Sequence, residues 1–193
     1  VVVGMGHIGH RHARAYTECE QAQLVAVCDR VEELARAAGE KFGVPYFTSA
    51  KECYAAMQPD IVSITTGGYE YSSDHYEPTM QAFEAGCNVL GEKPISNDLR
   101  HATEMVETAA RLGLCYGIDM NHRFTPAARQ AKKWQDDGRI GSLLFCNMAL
   151  WIGNVEVPMI CQKIKLDREM YGKKMFAEQI PEWLHSIDPT AEY

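Results

Sequence analysis

Three short stretches of this chain hold residue types that could do chemistry. "GEKPIS", residues 91–96, sets Lys93 between Glu92 and Pro94. A lysine at the mouth of a cleft can hydrogen-bond a hydroxyl and help its proton leave. The bland alternative is a solvated turn lysine beside a salt-bridging glutamate. "GMGHIG", residues 4–9, is a G-x-G-x-x-G. Gly4 permits a tight turn, Gly6 lets the backbone approach an anion, and Gly9 lets a helix pack closely on a strand. Free N–H groups at the helix start then bind phosphate. Asp29 follows Gly9 by about 20 residues, where its carboxylate would accept hydrogen bonds from a ribose 2′-hydroxyl and repel a 2′-phosphate. Together these residues point to a dinucleotide, NAD ahead of NADP. Arg30, which would stack on adenine or neutralise a phosphate, leaves NADP possible.

These residues need a frame that sets them at one edge. Apolar, β-branched runs at 1–3, 24–28, 61–65, 88–90 and 114–118 read as short buried parallel strands. Helical patterns alternate with them. Over 31–42, Leu34, Ala37, Ala38 and Phe42 would form the buried stripe, with Gly43 and Pro45 ending the helix. Over 97–112 the stripe would be Leu99, Ala102, Val106 and Ala109, capped by Ser96 or Asn97 and closed by a left-handed Gly113. Strand and helix in steady alternation predict an α/β doubly wound sheet. Its ligand crevice lies beyond the carboxyl ends of the strands, so Lys93 and Asp29 would face it. Pro94 moves Lys93 out of helical geometry and permits a cis peptide.

The rhythm changes after residue 118. Thr125 and Pro126 read as the cap and first position of a helix that Gly138 closes, and 142–151 reads as a long strand. We therefore expect a dinucleotide-binding domain over residues 1–118 and the start of a second domain over 119–193. The chain opens on Val1 inside a strand and is expected to be part of a longer protein.

Composition narrows the function classes. Hydrophobic residues make up 46% and charged ones 23%, as in a soluble globular protein. Asp and Glu number 26 against 19 Lys and Arg. With no basic stripe and no apolar run of spanning length, neither nucleic acid nor a membrane is the expected partner. The seven cysteines include no C-x-x-C pair, which fits a reducing, cytoplasmic setting. Cys28, Cys87, Cys115 and Cys146 lie in or beside apolar runs, where a free cysteine packs as a small hydrophobe. His7, His10 and His12 have no acid or cysteine beside them in sequence and read as helix-start and packing residues, so no metal is expected. Met80 and Phe83, at helical spacing, read as core. Trp134 is expected to pack between domains, and Tyr69 and Tyr71 belong to a loop.

The strand and G-M-G-H-I-G opening, Cys28-Asp29-Arg30, His75 followed by Ala85-Gly86, and Glu92-Lys93-Pro94 together resemble the Gfo/Idh/MocA oxidoreductases. "NHRFTPAARQAKKWQDDGRIGSL", residues 121–143, resembles that family's entry into its second domain, an α+β unit with an open-faced sheet. The resemblance implies a Rossmann fold and an NAD(P)-dependent dehydrogenase of a sugar, polyol or sugar derivative. It makes Lys93 catalytic and in contact with the nicotinamide ribose. Gly4, Gly6, His7, Ile8 and Gly9 would form the cofactor turn, Asp29 and Arg30 the adenosine end. Thr65, Thr66, His75 and Glu92 would line the cofactor cleft, and Asn121 and Arg123 would face substrate. "LHSID", residues 184–188, resembles the H-x-x-D segment whose histidine is the acid/base, here His185.

The sequence departs from the family pattern in two places. Pro181, with Glu182 next to it, stands where an aspartate often precedes that histidine. The stretch 66–75, "TGGYEYSSDH", exceeds the usual turn. The family also implies a homo-oligomer joined through the second domain, of which 119–193 would be an incomplete piece. Two rival functions remain: a glycosidase that keeps NAD bound and oxidises transiently, and a non-catalytic NAD(P)-sensing regulator.

Overall fold

The computed structural model describes residues 1–67 and 74–142 of the 193-residue chain. Six strands, β1 (Val2–Val3), β2 (Val27–Cys28), β3 (Tyr46–Phe47), β4 (Ile61–Ile64), β5 (Asn88–Gly91) and β6 (Tyr116–Ile118), alternate with α1 (His7–Glu18), α2 (Glu32–Phe42), α3 (Ala50–Met57), α4 (Tyr76–Glu84) and α5 (Leu99–Leu112). A 3-10 turn, Asn121–Phe124, leads into α6 (Pro126–Asp136). The sheet order is β3-β2-β1-β4-β5-β6, and every neighbouring pair is parallel. The expected doubly wound Rossmann sheet is therefore present. The winding reverses between β1 and β4, where such sheets open their ligand crevice.

The register explains why the site residues gather. Val3 pairs with Cys28 and Ile64, Ile64 with Gly91, and Gly91 with Ile118. Those five strand ends lie in one row. The residues that follow them, Gly4, Asp29, Thr65, Glu92 and Asp119, therefore stand side by side along the carboxyl edge.

Alternation along each strand sends side chains to two cores. Val3, Cys28, Val62, Ile64 and Val89 pack with Cys53 and Tyr54 of α3, Ala82 and Phe83 of α4, and Met105 and Ala109 of α5. Val2 and Val27 pack on the other face with Met5, Leu24, Ala13 of α1 and Ala38 of α2. Each large side chain so buried contributes about 1.5–3 kcal/mol. Phe83 is core as expected, and Met80 packs against it partly buried.

Several expectations are corrected. The buried stripe of α2 is Ala35, Ala38 and Gly39, while Leu34 is 45% exposed. The cause is the close approach of β3: a Cβ on Gly39 would meet the Val44 carbonyl oxygen at 2.9 Å and Tyr46 at 3.0 Å. In α5 the buried residues are Met105, Thr108 and Ala109, and Leu99 is 81% exposed. Its cap is Asp98, whose carboxylate accepts the Arg100 N–H at 2.8 Å. Ser96 instead accepts the Asp98 N–H at 3.1 Å. Cys115 is exposed rather than packed.

Gly43 and Gly113 close α2 and α5 in the left-handed region, as expected, and Thr125 caps α6 with Pro126 at its first turn. β3 and α3 had no counterpart in the sequence reading.

Residues Val1–Arg139 form one compact unit. Within it Trp134 is 43% exposed, and α6 buries no residue. His185, Glu182, Tyr69, Tyr71, Cys146, Cys161 and all but Ser142 of the strand expected at 142–151 lie outside the described residues.

Candidate active site

A cleft of about 900 Å³ runs along the carboxyl edge, lined by Gly4, Gly6, His7, Ile8, Asp29, Arg30, Thr65, Thr66, His75, Glu92 and Lys93 among others. Its floor is the glycine turn. Gly4 has φ +95°, and a Cβ there would meet Thr65 and Thr66 backbone atoms at 2.6–2.7 Å. A Cβ on Gly9 would lie 1.9 Å from the Gly4 carbonyl oxygen. These two glycines are demanded by the protein's own packing.

Gly6 is different. Its φ of −75° and ψ of −164° suit any residue, and a Cβ there would touch nothing within 4 Å. It caps α1 without a side-chain hydrogen bond, and the first turn of α1 carries no acid. Bare N–H groups and a bare backbone thus face the cleft, the arrangement that accepts a phosphate. The residues present fit a dinucleotide's pyrophosphate.

Asp29 stiffens the rim. Its Oδ2 accepts the Met5 N–H at 2.7 Å, and its Oδ1 accepts the Val31 N–H at 2.9 Å. The turn and the adenosine end are thereby tied by one carboxylate, with Arg30 exposed beside it. Thr65 braces the turn from below: its hydroxyl lies 3.0 Å from the Val3 carbonyl oxygen and 2.7 Å from that of Gly4. The Thr66 hydroxyl donates to the Asp74 carbonyl oxygen at 3.2 Å. Both threonines line the cleft, yet their hydroxyls hold protein backbone. Cys28 also lines it, but burial foremost, with the charges of Cys53 and Asp29, pushes its thiol up to about 12. No thiolate nucleophile is available there.

The Glu92–Lys93–Pro94 turn forms the nearby wall. Glu92 continues β5, its N–H donating to the Ile64 carbonyl oxygen at 2.9 Å. The peptide from Lys93 to Pro94 is cis. Lys93 is exposed, and among the described residues its Nζ has no hydrogen-bond or ion-pair partner; only its N–H is held, by Glu92 Oε2 at 3.2 Å.

Behind the turn lies a polar network that the sequence reading missed. His12 is 9% exposed, and its Nε2 sits 3.1 Å from Glu92 Oε1 and 3.4 Å from Asp119 Oδ2. Its Nδ1 lies 3.2 Å from Ser63 Oγ, which is 2.7 Å from the Tyr16 hydroxyl. A neutral imidazole satisfies the whole chain: Tyr16 donates to Ser63, Ser63 to Nδ1, and Nε2–H to the carboxylates. So acids do join His12, though from strands far away in sequence. The three ligand-type atoms lie within 4.8 Å of one another. The serine–histidine–acid order suggests a nucleophile, but Ser63 is 0% exposed, so no substrate reaches it. Burial pushes the Glu92 carboxyl up, and hydrogen bonds from His12 and the Lys93 N–H outweigh it and hold it below the usual carboxylate range. The available signal was His12 itself, one helical turn beyond Gly9 on α1, together with Asp119 at a strand end.

His75, 3% exposed, lines the cleft with both ring nitrogens engaged by protein. Nδ1 is 2.8 Å from the Pro94 carbonyl oxygen and Nε2 is 2.9 Å from that of Thr66. Asp74, also unforeseen, accepts the His75 and Tyr76 N–H groups at the start of α4. Asn121 and Arg123 are exposed in the 3-10 turn and do not line the cleft.

A family model for an oxidoreductase family with an NAD-binding Rossmann fold (Gfo/Idh/MocA) matches residues 1–120. D-glucoside 3-dehydrogenase of Escherichia coli is 33% identical over 144 residues, covering 74% of this chain and 40% of the relative. The 2,7-anhydro-N-acetylneuraminate hydratase of Mediterraneibacter gnavus is 32% identical, covering 77% of this chain and 38% of the relative. Scyllo-inositol dehydrogenase of Lactobacillus casei, solved with NAD(H) and scyllo-inositol, is 27% identical with a TM-score of 0.66, over 73% of this chain and 41% of the other. The chain thus spans about two-fifths of the length of these relatives.

Proposed function

The chain belongs to the Gfo/Idh/MocA oxidoreductase family, and from that premise we propose that the full protein is an NAD-dependent dehydrogenase acting on a hydroxyl carbon of a sugar, polyol or sugar derivative. The observation that carries the reading is one cleft holding both an uncapped glycine turn and an exposed Lys93 whose Nζ has no partner among the described residues. Gly4, Gly6, His7, Ile8 and Gly9 would hold the pyrophosphate of NAD, and Asp29 with Arg30 its adenosine ribose. Asp29 carries the charge that disfavours a 2′-phosphate, so NADP is the weaker ligand. Bound along this turn, NAD would supply the acceptor for a hydride from the substrate carbon.

Lys93 Nζ hydrogen-bonds the reacting hydroxyl oxygen and favours loss of its proton. His185 is the proposed acceptor of that proton, with Asn121 and Arg123 toward the substrate. A second domain beginning at residue 119, a homo-oligomer formed through it, and a cytoplasmic setting complete the reading. Its supports are the motif resemblance and the unpaired cysteine pattern; among the described residues no helix is long and apolar enough to cross a membrane.

A second reading rests on the hydratase relative. A redox-neutral reaction, adding or eliminating water or an alkoxide with NAD retained, would consume substrate without net NADH.

The test is made on the full-length protein. NADH should bind more tightly than NADPH by nicotinamide fluorescence, and a sugar and polyol screen should raise nicotinamide absorbance. Lys93→Met should then lower kcat by about 10²–10⁴-fold with NADH affinity retained. Full turnover by Lys93→Met would remove the catalytic assignment. Substrate loss at flat absorbance would favour the redox-neutral reading.

A further inference from the structure

We infer that Lys93 is aimed by two buried histidines it never touches, His12 from α1 and His75 at the start of α4, which hold the residues on either side of it. The role rests on the catalytic reading of Lys93 proposed above. Lys93 itself is exposed, and among the described residues its side chain has no tether. Its position is therefore set by Glu92 and Pro94.

Glu92 is held at both carboxylate oxygens. Oε1 accepts from His12 Nε2 at 3.1 Å, and Oε2 accepts the Lys93 N–H at 3.2 Å. The same carboxylate thus links α1 to the peptide of the lysine. Asp119 backs the imidazole at 3.4 Å, and its own N–H is anchored on the Gly91 carbonyl oxygen at 2.8 Å. On the far side, the Pro94 carbonyl oxygen takes His75 Nδ1 at 2.8 Å, while Nε2 of the same ring reaches the Thr66 carbonyl oxygen at 2.9 Å. The ring therefore spans the gap between the loop after β4 and the lysine turn. Both its partners are carbonyl oxygens, which only accept, so the ring is the donor toward them.

The two clamps use opposite ring atoms toward the turn: Nε2 at His12 and Nδ1 at His75. This gives the inference an atomic signature. A glutamine amide nitrogen stands near the Nε2 position of a histidine, and an asparagine amide near Nδ1. Glutamine should therefore preserve the grip at position 12 and asparagine the grip at position 75. Simple packing would not produce a crossed preference. A displacement of about 1 Å at a reacting group can cost about 10²-fold in rate, which sets the scale of the effect.

The experiment compares His12→Ala, His12→Gln, His12→Asn, His75→Ala, His75→Gln and His75→Asn in the full-length protein. Turnover is measured beside NADH affinity and the hydrogen-exchange rate of the Lys93 amide. The alanine variants should lose about 10–100-fold in kcat, and in His12→Ala, whose side chain does not line the cleft, KM and NADH affinity should hold within about threefold. Gln should restore most of the rate at 12 and Asn at 75. Exchange at the Lys93 amide should quicken in His12→Ala and recover in His12→Gln, a readout that needs no substrate.

Unchanged kcat and unchanged exchange, or rescue by both amides equally at both positions, would overturn the inference. If the wild type turned over nothing while exchange still followed the His12 pattern, the clamp would stand and the dehydrogenase reading would fall.

Discussion

At the scale of single residues, the glycine turn separates what the fold demands from what a ligand demands. Gly9 is required by contact, because its Cβ would overlap the Gly4 carbonyl oxygen. Gly6 is required by nothing in the described protein. Gly9→Ala should therefore cost stability, at the upper end of the 1–3 kcal/mol typical of overpacking. Gly6→Ala should change stability by no more than about 1 kcal/mol, the scale of an N-cap change, yet weaken NADH binding at least about tenfold. Denaturant titration beside fluorescence binding checks both; equal effects of the two variants on stability would contradict the assignment. The motif G-x-G-x-x-G was legible in sequence because its spacing encodes backbone geometry. The different reasons behind its glycines were not, since they depend on what lies opposite each Cα.

At the scale of elements, the alternation and order were readable, while helix phase and the short β3 and α3 were not. α5 was expected from its period and its closing Gly113, and both hold. Of its expected stripe, Leu99, Ala102, Val106 and Ala109, only Ala109 is buried, because Met105 offers a second apolar line through Ala109 at helical spacing. Only contact with the sheet selects between them. Met105 packs in the core with Val62, Ile64 and Phe83, at 0% exposure. Met105→Ala should cost about 2–5 kcal/mol, and Leu99→Ala within about 0.5 kcal/mol, by chemical denaturation. A large loss at Leu99 would show a second buried face. β3 escaped notice because two residues, one of them 40% exposed, make no periodic pattern.

At the scale of the whole molecule, the carboxyl edge of the sheet concentrates charge, and that charge links stability to pH. The Glu92 carboxyl lies below its usual range in the folded state, with burial opposing and hydrogen bonds from His12 and the Lys93 N–H prevailing. Its contribution is therefore fully present above the ordinary glutamate pKa, about 4.3, and is lost as pH falls through the folded value. The stability gap between wild type and Glu92→Gln should be widest near neutrality and narrow on acidification below about pH 4.3. Urea denaturation at stepped pH reads it; a gap that widens in acid would reverse the sign of the linkage.

Local spacing by itself determined the alternation of strand and helix, the phosphate turn, the acid at the end of β2 and the lysine turn after β5. Each of these is written within a few residues, where backbone sterics and hydrogen bonding act directly. Only the tertiary structure decided the partners of that lysine turn. His12 and Glu92 are joined across 80 positions and His75 and Pro94 across 19, because the parallel register aligns five strand ends in one row. No spacing rule connects such residues. Their meeting follows from which strands become neighbours, and that is settled by burial of the two faces of the sheet.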